Sequence, residues 1–212
     1  MKPIIGFYGF WVYLTYASLI SAMVGIFFAI YGYITYALIC LMISGICDTL
    51  DGRVASLKSR TDREVGYGIQ LDALADVVAF GALPAVIGFM IGQEQGTVGT
   101  ASKIIFAVYV LAALIRLAYF TVIEVELQGK KEKREYYEGL PVTIVALIIP
   151  VVYAVCTIFD FPLFPVYNVL LAVIAIAFVA RIKVYKPKGR MKVILCLIGV
   201  PILIFIIVNG VM

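Results

Sequence analysis

Long apolar runs alternate with short polar connections along almost the whole chain. Each run is about 20 residues long, which is the length a helix needs to cross the hydrocarbon core of a bilayer. The pattern predicts an all-α integral membrane protein, a polytopic bundle of about seven (six to eight) transmembrane helices in a single domain, residues 1–212. The predicted spans lie near residues 8–31, 33–55, 68–92, 101–124, 140–159, 164–183 and 192–211.

Composition supports a lipid bilayer as the surroundings of this chain. Hydrophobic residues make up 64% of it, whereas roughly 45–50% is usual for soluble domains. Histidine is absent, which excludes histidine acid–base chemistry and histidine metal ligation. The four cysteines lie in apolar segments without CxxC spacing, so neither a zinc site nor a disulfide framework is expected. The net charge of +4 is modest, and we expect no nucleic-acid partner.

Basic residues fall in alternate connections and so predict the orientation. They cluster at residues 58–63, 130–134 and 183–192, whereas the other connections carry only Lys103 at a helix margin. Cytoplasmic loops of membrane proteins carry an excess of lysine and arginine. We therefore expect a multi-pass protein of the cell membrane, with the basic connections in the cytoplasm and, for an odd helix count, the C-terminus outside.

Four aspartates stand at helical spacing beside the predicted second and third spans. Asp48 and Asp51 are three residues apart, and Asp72 and Asp76 are four apart, so each pair shares one face of a helix. Burying unpaired carboxylates in apolar surroundings costs several kcal/mol each, by order of magnitude. Either some of them are protonated or a cation holds them. Oxygen ligands favour hard cations such as magnesium, manganese or calcium.

The same stretch resembles the DxxDGxxAR…GxxxDxxxD motif of the CDP-alcohol phosphotransferases, integral membrane enzymes that make phospholipids from a CDP-activated donor and an alcohol. The matching positions are Asp48, Asp51, Gly52, Ala55, Gly68, Asp72 and Asp76. Ser56 stands where the family usually has arginine, and the run to Gly68 is a few residues longer than usual. A basic side chain near the donor phosphates would then come from Lys58, Arg60 or Arg63.

The resemblance implies a mechanism and a set of site residues. Two divalent cations, Mg²⁺ or Mn²⁺, would be held by the four aspartates, and Asp76 would also act as the catalytic base. The CDP-lipid donor would lie against Gly52, Ala55, Gly68, Ser56, Lys58 and Arg60, and Thr15 on the first helix is a further candidate contact. A homodimer is also implied.

Arg116 is a charged residue inside the predicted fourth span. Such an arginine costs about 3 kcal/mol or more at mid-depth and marks a pairing or ligand site. Its segment IRLAYF and the later EGLP (138–141) resemble segments of the phosphatidylserine synthase branch of the same family, although Tyr119 replaces an arginine and Thr121 an asparagine. This resemblance implies L-serine as the acceptor, with Arg116 binding its carboxylate bidentately. A salt bridge to Glu124 is the structural alternative.

Two other functions remain open from the sequence. Glycerol phosphate or inositol phosphate could be the acceptor, since Lys58, Arg60, Arg63 and Arg116 could supply basic side chains for a phosphate. A cation transporter could also use four membrane carboxylates as an ion site, but no inverted repeat is visible in this sequence. Release of CMP from a CDP-lipid would distinguish an enzyme from a transporter.

Overall fold

The computed structural model describes residues 5–55, 60–130, 136–138, 140–181, 183–185, 199 and 201–208. Ser56, Lys58 and most of the predicted last span lie outside the described residues. The helices are α1 (Tyr13–Ile30), α2 (Ile34–Ala55), α3 (Asp62–Asp76), α4 (Leu83–Glu94), α5 (Thr100–Lys130), α6 (Val145–Ile158) and α7 (Leu163–Val179). A π-helical segment (Val77–Ala82) joins α3 to α4, and 3-10 turns (Phe10–Val12 and Val142–Ile144) precede α1 and α6.

The predicted membrane helices match the observed ones closely. Four helices are long and apolar enough to cross a membrane, and they cover Phe10–Ile30, Ile34–Gly52, Asp62–Glu94 and Thr100–Leu127. Two shorter apolar helices cover Val142–Ile158 and Leu163–Val179, and residues 201–208 within the predicted seventh span are also helical. The prediction of a polytopic helical membrane protein is therefore confirmed.

Two strands of three residues are the exception to the all-helical pattern. β1 (Tyr136–Glu138) pairs antiparallel with β2 (Lys183–Tyr185), with Tyr137 opposite Val184. Each strand lies in one of the basic connections, one after α5 and the other after α7. The small sheet therefore links two loops at the same end of the bundle, and the protein keeps its all-α class.

Hydroxyl side chains hold α1 against α2. The Ser18 hydroxyl donates to the Ser44 carbonyl at 3.3 Å, and the Ser44 hydroxyl donates to the Ser18 carbonyl at 2.9 Å. One turn further along α1, the Ser21 hydroxyl donates to the Cys40 carbonyl at 3.0 Å. Small residues and interhelical hydrogen bonds of this kind bring membrane helices close together. This contact fixes α2, which carries the first two motif aspartates.

The π-helical segment begins directly after Asp76 and ends beside Pro84. Proline has no N–H to donate to the carbonyl four residues earlier, which here is that of Phe80. The buried Tyr109 hydroxyl of α5 donates to the Phe80 carbonyl at 2.6 Å. The buried Tyr167 hydroxyl of α7 donates to the Pro84 carbonyl at 2.9 Å. Two tyrosines therefore fix the helix where its hydrogen-bond pattern changes.

Candidate active site

A cavity of about 540 Å³ opens at the end of the bundle where α2 ends and α3 begins. Residues of α1, α2, α3 and α5 line it, together with the segment that leads into α6. All four motif aspartates face this cavity, together with Gly52, Ala55, Gly68, Arg60 and Arg116. The fold therefore gathers the described residues of the sequence-predicted site into one space, with the exception of the alternative cation Arg63.

Three of the aspartates form a compact cluster. Asp48, Asp72 and Asp76 each offer a carboxylate oxygen, and these oxygens all lie within 4.8 Å of one another. Asp76 is buried, with 6% of its surface exposed. Oxygen ligands bind Mg²⁺ or Ca²⁺ at about 2.0–2.6 Å, so one cation could contact oxygens with this separation. The donor set therefore fits a hard divalent cation.

Asp51 lies at the edge of that cluster. It lines the same cavity as the cluster, and the Thr15 hydroxyl of α1 donates to its Oδ2 at 3.4 Å. Four carboxylates so close together repel one another strongly in a region of low dielectric. Divalent cations would balance this charge, and Asp51 is placed to share in holding them.

Local interactions set where α3 begins and so where its aspartates lie. Thr61 caps the helix, since its hydroxyl accepts from the Glu64 N–H at 3.3 Å while the Glu64 carboxylate accepts from the Thr61 N–H at 2.9 Å. This capping box satisfies two N–H groups at the helix start. Asp72 and Asp76 follow on the same helix, and they meet Asp48 from the end of α2.

Among the described residues of the α2–α3 connection, Arg60 is the basic residue that lines the cavity. Its guanidinium lies over the Trp11 ring, 5.4 Å from the centroid. A Cβ added at Gly68 would lie 3.3 Å from Arg60 Nη1 and 3.4 Å from the Trp11 ring. Arg63, by contrast, is exposed and does not line the cavity. Gly68 therefore leaves room for a cation held by an aromatic ring beside the aspartates.

Gly52 leaves open space beside Asp51. A Cβ built on Gly52 meets no heavy atom within 4 Å, and the residue lines the cavity in α2. Ala55, one turn later, lines the same cavity. Among the described residues nothing packs on the position of a Gly52 Cβ, so no helix contact within that part of the chain requires glycine there. Instead these small residues leave the helix backbone accessible from the cavity.

Arg116 reaches the cavity from the middle of α5. It is buried, with 5% of its surface exposed, and its Nε donates to the Leu140 carbonyl at 3.3 Å. Its guanidinium carbon lies 5.5 Å from the centroid of the Phe120 ring. Glu124, the salt-bridge partner considered from the sequence, lines the same cavity. Arg116 is thus a buried cation whose guanidinium is oriented by the Leu140 carbonyl and the Phe120 ring. It shares the cavity with the four aspartates.

Two residues of the site were not identified from the sequence. Thr143 donates its hydroxyl to Asp48 Oδ2 at 2.7 Å, and its position two residues after Pro141 of the EGLP segment is the signal that could have indicated it. Trp11, which contacts Arg60, is the single tryptophan of the chain and stands near the start of the first span. Neither belongs to the aspartate motif.

Comparison with known proteins identifies the family. The family model of the CDP-alcohol phosphatidyltransferases matches residues 12–181. A CDP-diacylglycerol–serine O-phosphatidyltransferase from Saccharomyces cerevisiae is 42% identical over 115 residues, 52% of this chain and 39% of the yeast protein. One from Helicobacter pylori is 38% identical over 109 residues, 51% of this chain and 44% of its own length.

An archaetidylserine synthase from Methanothermobacter thermautotrophicus is 29% identical over 129 residues, 61% of this chain and 51% of its own length. The chain thus spans about half or less of the length of these relatives. Its match to the family model is much more extensive, because it runs from the start of α1 to the end of α7 and contains the whole aspartate motif. The chain belongs to the CDP-alcohol phosphatidyltransferase family.

Proposed function

We propose that this protein is a phospholipid-synthesising transferase that moves the phosphatidyl group of a CDP-lipid onto the hydroxyl of L-serine and releases CMP. The observation that carries the proposal is a single cavity containing both the aspartate cluster and the buried Arg116. The names of the relatives, which are serine phosphatidyltransferases and an archaetidylserine synthase, support serine as the acceptor.

The donor would bind with its diphosphate against the aspartate cluster. Two divalent cations held by Asp48, Asp51, Asp72 and Asp76 would neutralise the diphosphate and the charge that develops on departing CMP. Gly52 and Ala55 let the nucleotide part approach the α2 backbone, and the open space beside Gly52 supports this placement. Arg60, held over Trp11, supplies the basic side chain that the family motif has at the position of Ser56. The identity of the metal, Mg²⁺ or Mn²⁺, stays part of the proposal.

The reaction is a displacement at the lipid-side phosphorus. The serine hydroxyl oxygen forms a bond to this phosphorus while the bond from phosphorus to the oxygen shared with CMP breaks, and CMP leaves with that electron pair. The hydroxyl proton passes to a carboxylate, for which we propose Asp76. A general base must lie within hydrogen-bonding reach of the proton that it removes. Asp76 is the most deeply buried of the four acids, and one of its carboxylate oxygens lies within 4.8 Å of those of Asp48 and Asp72.

Arg116 would bind the carboxylate of serine. A planar guanidinium pairs with a carboxylate through two parallel hydrogen bonds, and the Leu140 carbonyl together with the Phe120 ring directs this guanidinium. A phosphorylated acceptor would require more than one cation near the reacting hydroxyl. Glu124 lines the same cavity and would suit the ammonium group of serine, a group that glycerol phosphate and inositol phosphate lack.

The protein is a multi-pass membrane protein, and we propose that its cavity opens on the cytoplasmic side of the cell membrane. The cavity lies at the end of the bundle that carries Arg60, Arg63 and the other basic connections. This placement would let soluble serine enter from the cytoplasm while the lipid donor enters from the bilayer. Assembly into a homodimer is proposed from the resemblance to the family alone.

The test is CMP release from CDP-diacylglycerol by the purified protein, with Mg²⁺ or Mn²⁺ and one acceptor at a time. We expect release with serine and none with glycerol 3-phosphate or inositol 1-phosphate. Asp76→Asn should abolish the activity, whereas Asp62→Asn is the matched control, because Asp62 is an exposed acid on the same helix. Release with a phosphorylated acceptor would refute the proposed role of Arg116. No release with any acceptor, from diacyl or ether-lipid donors, would favour a cation transporter.

A further inference from the structure

A hydrogen bond from Thr143 joins the start of α6 to the aspartate cluster. The Thr143 hydroxyl donates to Asp48 Oδ2 at 2.7 Å, across 95 residues of sequence. The distance is that of a well-formed O–H···O hydrogen bond, and such a bond is among the stronger ones in proteins when its acceptor is an ionised carboxylate. Thr143 lies outside the aspartate motif, in the 3-10 turn (Val142–Ile144) that precedes α6.

The close packing of α2 and α6 places this hydroxyl. A Cβ added at Gly45 would lie 2.5 Å from the Ala146 Cβ, so the two helices touch where glycine leaves no side chain. Asp48 follows Gly45 by three residues, and Thr143 precedes Ala146 by three residues. The two pairs are therefore neighbouring contacts of one interface, in which the chains run in opposite directions. The donor is thus held by the packing of two helices rather than by a loop.

The bond uses one oxygen of Asp48 and leaves the other available. An ionised carboxylate has two oxygens, each able to accept or to bind a cation. Fixing one of them restricts rotation of the carboxyl group, which then presents the second oxygen in a constant direction. Partners of this kind orient the ligands of metal sites, and their loss typically costs about 10- to 100-fold in metal affinity or activity.

The segment that carries Thr143 also contacts Arg116. The Leu140 carbonyl, three residues before Thr143, accepts from Arg116 Nε at 3.3 Å. Between these two contacts, Pro141 has φ −59° and ψ 133° and starts the 3-10 turn. One short, proline-containing stretch therefore contacts both the aspartate cluster and the buried arginine. Its backbone sets the distance between these two parts of the cavity.

We propose that Thr143 is a positioning residue that orients Asp48 for binding a divalent cation. The proposal rests on the proposed function only in so far as Asp48 is taken to hold such a cation. It concerns the cation site and not the identity of the acceptor. Removing the hydroxyl should therefore weaken cation binding while leaving the acceptor interaction unchanged.

The test compares Thr143→Val, which removes the hydroxyl with little change in shape, with Thr143→Ser, which keeps it. Binding of Mn²⁺ alone is measured by calorimetric titration of the purified protein, without donor or acceptor. We expect Thr143→Val to bind Mn²⁺ about 10-fold or more weakly, and Thr143→Ser to bind nearly as tightly as the parent. In the CMP-release assay, the Mn²⁺ concentration for half-maximal rate should rise by the same factor in Thr143→Val, at an unchanged KM for serine.

The matched control is Thr157→Val in α6, the helix that directly follows the turn carrying Thr143. The Thr157 hydroxyl donates to the Tyr153 carbonyl at 2.9 Å and lies away from the cavity, so its loss should not alter Mn²⁺ binding. Parent-like Mn²⁺ affinity in Thr143→Val would overturn the positioning role and leave the proposed function intact. Equal weakening in both Thr143 variants would also overturn it, since serine retains the hydroxyl. A parent protein that binds no Mn²⁺ would instead refute the proposed metal site itself.

Discussion

Gly52 offers a direct test of where the donor lies, because none of the residues that the structure describes requires glycine there. The residue is in the last turn of α2 (Ile34–Ala55), and an added Cβ would meet no heavy atom within 4 Å. Alanine is favoured over glycine inside helices by about 0.8–1.0 kcal/mol, and by less near an end. Gly52→Ala should therefore stabilise the protein by up to about 1 kcal/mol, which would raise its Tm by about 2–4 °C at this chain length.

The same methyl group should impair the proposed reaction. If the nucleotide part of the donor packs against the α2 backbone, the methyl group occupies space that the ligand needs. Inserting a methyl or methylene group into a packed contact costs typically 1–3 kcal/mol, which corresponds to about 5- to 150-fold in affinity. We expect the KM for CDP-diacylglycerol to rise within that range, with the KM for serine unchanged.

Gly66→Ala provides the matched control. Gly66 lies within α3, an added Cβ there also meets nothing within 4 Å, and the residue does not line the cavity. The control should show the gain in Tm without any change in the KM for the donor. Tm is measured by thermal unfolding in detergent, and KM by CMP release over a series of donor concentrations. A parent-like donor KM in Gly52→Ala would refute the placement of the donor beside Gly52.

Two further predictions concern buried polar groups. Tyr109→Phe should lower the free energy of unfolding by about 1 kcal/mol, because it removes the buried hydroxyl that donates to the Phe80 carbonyl; a thermal unfolding midpoint equal to that of the parent would contradict this. Arg116→Lys should raise the KM for serine about 10-fold or more, because an ammonium cannot form the bidentate pair. An unchanged serine KM in the CMP-release assay, at an unchanged Tm, would rule out Arg116 as the carboxylate ligand.

The sequence was sufficient to predict the helical membrane architecture. It also indicated which four aspartates lie together in one cavity. The length and polarity of the apolar runs determine the spans, and three- and four-residue spacing determines which acids share a helix face. The division of residues 1–212 into a single domain and the roles of the site residues remain predictions. The spacing also placed Arg116 inside a helix, but it could not show that Leu140 and Phe120 direct the guanidinium.

Contacts between distant segments could not be predicted in the same way. Thr143 and Asp48 meet because Gly45 lets α6 approach α2, and nothing in either local sequence states which helices are neighbours. The contact of Arg60 with Trp11 likewise depends on how α1 packs beside α3. Local periodicity determines the face of a helix, whereas the partner of that face depends on the packing of the whole bundle.

The π-helical segment Val77–Ala82 has a consequence for how this family member could change during evolution. Each residue advances an α-helix by about 100°, whereas a π-turn bonds residue i to residue i+5 and so takes up about one residue more per turn. The segment can therefore absorb a deletion of one residue by returning to ordinary α-helical bonding, with little rotation of α4 relative to the aspartates. A deletion of one residue within α3, which has no π-turn to absorb it, would instead turn Asp76 by about 100° relative to the residues before the deletion. The buried Ala79 and Phe80 side chains constrain the segment more tightly than its length does.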